Sequence, residues 1–172
     1  MINMPFSSTA FGFTIRSLSP TFSMTHRWFN YGFRVQPHHT DYSGVVWHGT
    51  YIQWMETARV ECLRTIGFAF EDCVTAGYDL PVVDLQLRYR QPLRLGADGL
   101  IRTRLASAGG VRLTWLYEIC DITTASPQVC VTGQVVLVPI SMATRKIVRR
   151  FPPELQPLFT AVEEYFGTDK VP

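Results

Sequence analysis

No apolar stretch in this chain approaches the roughly 20 residues a helix needs to cross a bilayer, so no helical membrane span is expected. Charge of one sign is lacking too. Lys+Arg 16 against Asp+Glu 14 leaves a formal net charge of +2, too even for a nucleic-acid binder, and any anion must be held by local clusters. Cys62, Cys73, Cys120 and Cys130 show no C-x-x-C spacing and no paired metal-ligand pattern, so no metal site is expected. Buried, reduced thiols and a soluble, cytoplasmic protein are the expectation. A Cys120–Cys130 disulfide would require neighbouring strands that bring the two together. Long internal repeats and low-complexity linkers are missing as well.

Acidic residues are absent from Met1 to Thr40, and the first stretch is rich in Ser, Thr and Phe. Such a start has the composition of an organelle transit peptide, but its arginine content is low. We read residues 1–24 as an extension outside the fold, with Met24 as a candidate true start, and residues 25–172 as one domain. Hydrophobic residues at 47% and charged residues at 17% fit a globular core rather than disorder.

What is present is strong periodicity. Phe29, Tyr31, Phe33 and Val35 alternate with Trp28, Asn30, Gly32 and Arg34, which predicts a strand over Trp28–Gln36, ended by Pro37. Tyr51, Met55, Ala58, Cys62 and Ile66 recur at helical spacing, predicting a helix that stops at Gly67. Ile52, Trp54, Val60 and Leu63 widen its apolar surface, so cover on most sides is expected. Glu56 and Arg59, three apart, predict an ion pair within the helix or between subunits. A shorter helix over Phe70–Ala76 follows.

Four further strands are predicted: Val83–Arg90, Ile101–Leu105, Val111–Ile119 and Val129–Leu137. Gly96–Gly99, Gly109-Gly110 and Ser126-Pro127 separate these four in turn, predicting an antiparallel meander. A short helix over Pro152–Phe166 opens on two prolines. One strand, one long helix and four more strands give an α+β fold: a curved antiparallel sheet of about five strands wrapped around one central helix. An exposed sheet edge in so small a fold invites a second copy.

Chemistry concentrates in the loop His38–Tyr51, HHTDYSGVVWHGTY, which holds three of the four histidines and one carboxylate. The backbone N–H groups at a helix start have no intrahelical partner and carry partial positive charge. A carbonyl oxygen placed there would be polarised and an oxyanion stabilised. Asp41, just upstream, would then be nucleophile or general base. The bland alternative is an Asx turn or helix cap.

The string TDYSGVVWHGTYIQWMETARVECLR resembles the signature of the 4-hydroxybenzoyl-CoA thioesterase-like branch of the hot-dog superfamily. The matches are Asp41, Gly44, Val45, Val46, Trp47, His48, Tyr51, Glu56, Ala58 and Arg59, with a further likeness over Tyr89–Ala97, where Ala97 stands in place of a frequent Asp. The resemblance covers roughly residues 28–150, judged by element order. It implies a hot-dog fold and an acyl-CoA thioesterase, with Asp41 as catalytic carboxylate and the backbone N–H around His48 polarising the carbonyl, the His48 imidazole assisting. It implies no cofactor, because coenzyme A is part of the substrate. Gly44, Val46 and Trp47 are the expected substrate-binding positions, with Tyr51 either packed in the core or shaping the acyl pocket. Coenzyme A phosphates call for arginine, and two clusters qualify: Arg88, Arg90 and Arg94, and Arg145, Lys146, Arg149 and Arg150, of which the second is the better candidate. A homodimer or homotetramer is expected, acting on an aromatic or fatty acyl-CoA. An acyl-carrier-protein thioesterase, or a non-catalytic acyl-CoA-binding protein, are the alternatives.

Overall fold

Alternation builds the first strand. In β1 (Phe29–Arg34) the residues Phe29, Tyr31 and Phe33 turn inward and Asn30, Gly32 and Arg34 outward, as the pleat requires. The structure, a computed structural model, describes residues 27–167. The extension expected over 1–24 lies outside the described residues.

The chain then runs through α1 (Thr50–Thr65), α2 (Phe70–Thr75), β2 (Tyr78–Asp79), β3 (Val82–Tyr89), β4 (Asp98–Gly109), β5 (Arg112–Asp121), β6 (Gln128–Leu137), β7 (Ile140–Ser141) and α3 (Gln156–Phe166). Five strands form one antiparallel sheet in the order β1-β4-β5-β6-β3, and β2 pairs with β7 in a separate ribbon. The described residues thus form the hot-dog fold, α+β, with α1 on the concave face of the sheet. Register shifts at Val82/Asp84, Leu105/Ser107 and Ile119/Cys120 supply the curvature that wrapping needs.

The predicted meander holds only for β4, β5 and β6. β3 lies beyond β6, and β1 takes the place beside β4. The reason is the link between β3 and β4, which crosses the N-terminal end of α1 and is tied there. Leu93, in that link, is fully buried, and Val45 and Arg94 form a β-bridge.

The core sits between helix and sheet. Tyr51, Trp54, Met55, Ala58, Cys62 and Leu63 of α1 meet Ile101, Thr103, Trp115, Tyr117, Ile119, Val131 and Val135 of the sheet, all buried. Each large apolar side chain so buried contributes about 1.5–3 kcal/mol. α3 buries Leu158 and Val162, and Phe166 meets Trp115 edge-on at 5.9 Å.

Two expectations for α1 are corrected. Within one protomer the helix is not covered on most sides: Ile52 remains 39% exposed, and Gln53, Glu56 and Thr57 share that open face. Glu56 and Arg59 form no ion pair within the helix, because Arg59 turns into the core and donates to the Tyr117 hydroxyl at 2.9 Å. All four cysteines are free and buried, so Cys120 and Cys130 are not bridged. Burial pushes the Cys62 thiol up to about 12 and those of Cys73 and Cys120 up to about 11, which leaves them protonated and unreactive at neutral pH.

Candidate active site

The loop between β1 and α1 is built by backbone bonds that its sequence makes available. Pro37 opens a single 3-10 turn over Pro37–His39, its missing N–H costing nothing at that position. His39 Nδ1 accepts the Gln36 N–H at 3.0 Å. That fixes the tautomer with the proton on Nε2. The His39 carbonyl then accepts the Trp47 N–H at 3.0 Å and the Thr50 hydroxyl at 3.2 Å.

Thr40 and Val46 form an antiparallel bridge, so residues 41–45 close a tight tip. The Asp41 N–H donates to the Val45 carbonyl at 2.8 Å and the Gly44 N–H to the Asp41 carbonyl at 3.0 Å. Gly44 turns the tip with φ +71°, a conformation that a side chain resists. On its far side the tip is held by the β3–β4 link. Val46 N–H donates to the Leu93 carbonyl at 2.9 Å and Leu95 N–H to the Gly44 carbonyl at 3.0 Å.

Asp41 is exposed. Its Oδ1 accepts the Ser43 N–H at 2.8 Å and the Val45 N–H at 3.3 Å, an Asx-type turn. Oδ2 has no hydrogen-bond partner among the described residues. The side chain is therefore both a turn-former and a free acceptor: one oxygen sets its orientation and the other stays open.

The helix start is open as well. α1 has Gly49 as N-cap, no side-chain capping bond and no acidic residue in its first turn. Neither the His48 nor the Gly49 N–H has a partner among the described residues. Such N–H groups attract negative charge. The Trp47 ring folds over Gly49 so closely that a Cβ there would fall inside it. The His48 ring is exposed and tilts against Trp47 at 4.6 Å.

Beneath the loop lies a ring cluster. Trp54 meets Phe33 at 4.1 Å, His39 at 5.0 Å and Tyr51 at 5.6 Å. Val46, expected to touch substrate, is only 4% exposed, and Tyr51, expected in the core or at the acyl pocket, is 2% exposed. Both support the loop from within, and Tyr51 accepts the Leu93 N–H through its hydroxyl at 3.4 Å. Burial pushes the Tyr51 and Tyr89 phenols up. Burial, and then the neighbouring His38, pulls the His39 imidazole down.

The two basic clusters fall at opposite ends of α1. Arg94 bridges Val45 directly. Arg90 lies just past the end of β3, its N–H bonded to the Cys130 carbonyl at 2.8 Å. Arg88 faces the outer side of the sheet, opposite Thr132. The second cluster lies exposed beyond β7, where Ser141 N–H bonds the Lys146 carbonyl at 3.0 Å and Arg145 takes a φ of +58°. β7 pairs with β2, which follows the C-terminal end of α1. The helix's 16 residues span about 24 Å, so one protomer does not bring Arg145, Lys146, Arg149 and Arg150 to the loop.

Sequence reasoning missed three residues here. Tyr89 donates its hydroxyl to the His48 carbonyl at 3.1 Å; neither its place in a strand nor the likeness over Tyr89–Ala97 points to that bond. Gly49 is crowded by a ring two residues away, and the tautomer of His39 is set by a backbone N–H. Nothing in a linear pattern announces either contact.

A carboxylate with one oxygen anchored and one free, beside a helix start with unpaired N–H groups, is equipped for attack on an activated carbonyl. Residues 43–127 match the family model described as the thioesterase superfamily. The chain is 53% identical over 134 residues to sll0410 of Synechocystis, provisionally named an esterase, covering 78% of this chain and 80% of that one. YneP of Bacillus subtilis, provisionally named an acyl-CoA thioesterase, is 31% identical over 98 residues, 54% of this chain and 71% of its own. The solved structure of Slr0204 from Synechocystis, a 1,4-dihydroxy-2-naphthoyl-CoA thioesterase, matches with a TM-score of 0.71. It is 26% identical and covers 79% of this chain and 96% of that one. The chain belongs to the thioesterase superfamily and is a thioester hydrolase.

Proposed function

We propose that this enzyme hydrolyses the thioester of an aromatic or fatty acyl-CoA to the free acid and coenzyme A, with Asp41 as its catalytic carboxylate. The observation that carries this is the divided carboxylate: Oδ1 is held by two backbone N–H groups while Oδ2 has no partner among the described residues. As general base, Asp41 takes a proton from water, whose oxygen adds to the thioester carbon. As nucleophile, it forms an acyl anhydride that water then opens. In both routes the carbonyl oxygen becomes an oxyanion and the C–S bond breaks; the thiolate of coenzyme A takes up the proton that water gives up, as water adds in the first route and as water opens the anhydride in the second.

The oxyanion belongs at the unpaired N–H groups of His48 and Gly49, where preorganised donors matter most. The His48 imidazole assists proton transfer to the thiolate. Gly44 shapes the tip and Trp47 walls the entrance. The phosphates of coenzyme A fall to Arg90 and Arg94, which flank the loop, ahead of the Arg145–Arg150 cluster, which reaches a site only from another subunit.

A second copy completes the molecule in this reading, as a homodimer or homotetramer. The edge strand β3 leaves Val82 49%, Val83 47% and Leu85 38% exposed, and unpaired apolar edges are rarely left bare. Four free buried thiols suit a reducing, cytoplasmic setting. The test is release of free thiol from benzoyl-, naphthoyl- and fatty acyl-CoAs, run beside the same acyl groups on acyl carrier protein. Turnover on coenzyme A esters is expected. Turnover confined to the carrier protein, or on neither, would overturn the reading.

A further inference from the structure

We infer that Tyr89 is a positioning residue for the oxyanion site, an inference that rests on the reading of the helix start as that site. The His48 carbonyl and the Gly49 N–H are two ends of one peptide plane. Tyr89, the last residue of β3, donates its hydroxyl to that carbonyl at 3.1 Å. The bond fixes the plane and, by polarising it, strengthens the donor at the other end.

The need for such a pin is local. The Trp47 ring fills the space that a side chain at position 49 would occupy, so any substitution there must push the half-exposed indole aside. Glycine is the residue least able to hold its own backbone. No side chain caps the helix at this point. Without Tyr89, the peptide whose N–H faces the substrate would be free to tilt.

Tyr89 is itself held. Its ring meets that of Tyr51 edge-on at 5.6 Å, and Tyr51 is anchored through the Leu93 N–H. Because burial pushes the Tyr89 phenol up, its hydroxyl stays a donor throughout the neutral range. Half of Tyr89 remains exposed, so the bond carries little of the fold's stability.

The test is Tyr89→Phe, which keeps the ring and removes only the donor. Complete loss of an oxyanion donor costs a hundredfold or more, so a tilted one is expected to lower kcat about tenfold with KM and melting temperature unchanged. Affinity for a coenzyme A-linked ketone that mimics the oxyanion should fall in parallel with kcat/KM. Independently of turnover, the Gly49 amide should exchange faster with solvent deuterium in the variant and its proton resonance move upfield, while the other amides of α1 keep theirs. An unchanged Gly49 amide, an unchanged kcat, or a loss that tracks KM or unfolding would overturn the inference. A wild type without turnover, or one matched by Asp41→Asn, would instead sink the underlying site assignment, and the Gly49 amide would still decide whether Tyr89 pins that peptide.

Discussion

In the proposed mechanism one side chain, Asp41, meets two demands. Its turn-forming bonds are those a purely structural aspartate would make, yet they use one oxygen only. The sequence marked Asp41 by its motif, but the split between its oxygens is a matter of three dimensions. His39 carries a separate consequence. Burial and His38 hold its imidazole below the ordinary value of 6.5, and protonation would also remove the acceptor that Gln36 N–H uses. The unfolded chain therefore binds a proton that the folded chain refuses. Stability from this group is complete above the ordinary pKa and is lost as pH falls through it. A melting temperature that declines from pH about 7 to about 5.5 is expected. His39→Asn, which keeps an acceptor near the Nδ1 position but does not titrate, should flatten that decline; an equal decline in the variant would refute the assignment.

Among elements, α1 was the most legible and also the most misjudged. Its spacing located the helix to within a residue, because 3.6-residue periodicity survives any tertiary context. Its surroundings did not follow, since apolar content does not say which face meets the sheet and which stays open. Arg59 is the clear case: its spacing from Glu56 suggested a pair, but it points to the sheet and finds Tyr117. Where α1 crosses β6, packing is tight. A Cβ at Gly133 would stand 2.8 Å from Leu87 Cδ2 and 2.9 Å from Met55 Cε. Both are ends of flexible side chains, so Gly133→Ala should cost about 1 kcal/mol of overpacking, measurable by denaturant unfolding. Gly49→Ala is different. A Cβ there overlaps the Trp47 ring itself, so the half-exposed indole must swing away, and displacing it should lower turnover while the circular dichroism spectrum stays that of the wild type.

At the scale of the molecule, the class of fold was legible because one helix amid five alternating strands has few ways to bury its face. The strand order was not, because nothing in the alternation of β3 says that its partner is β6 rather than the next strand along the chain. That crossing carries the site: it brings the end of β3 and the Arg94 bridge to the loop, and it leaves β3 as an open edge. A charged edge should keep a second copy away. Val83→Lys combined with Leu85→Lys is expected to shift sedimentation to the monomer and to reduce turnover with it; an unchanged sedimentation coefficient would place the subunit contact elsewhere.

The central claim is that the free oxygen of Asp41 does the chemistry. Asp41→Asn keeps the Oδ1 acceptor and the turn while removing the charge. Single-turnover hydrolysis of the best acyl-CoA substrate, wild type against this variant with matched circular dichroism, tests it most directly. A fall of about a hundredfold or more in the chemical step, with substrate still bound, is expected. An Asp41→Asn enzyme that hydrolyses at the wild-type rate would contradict it.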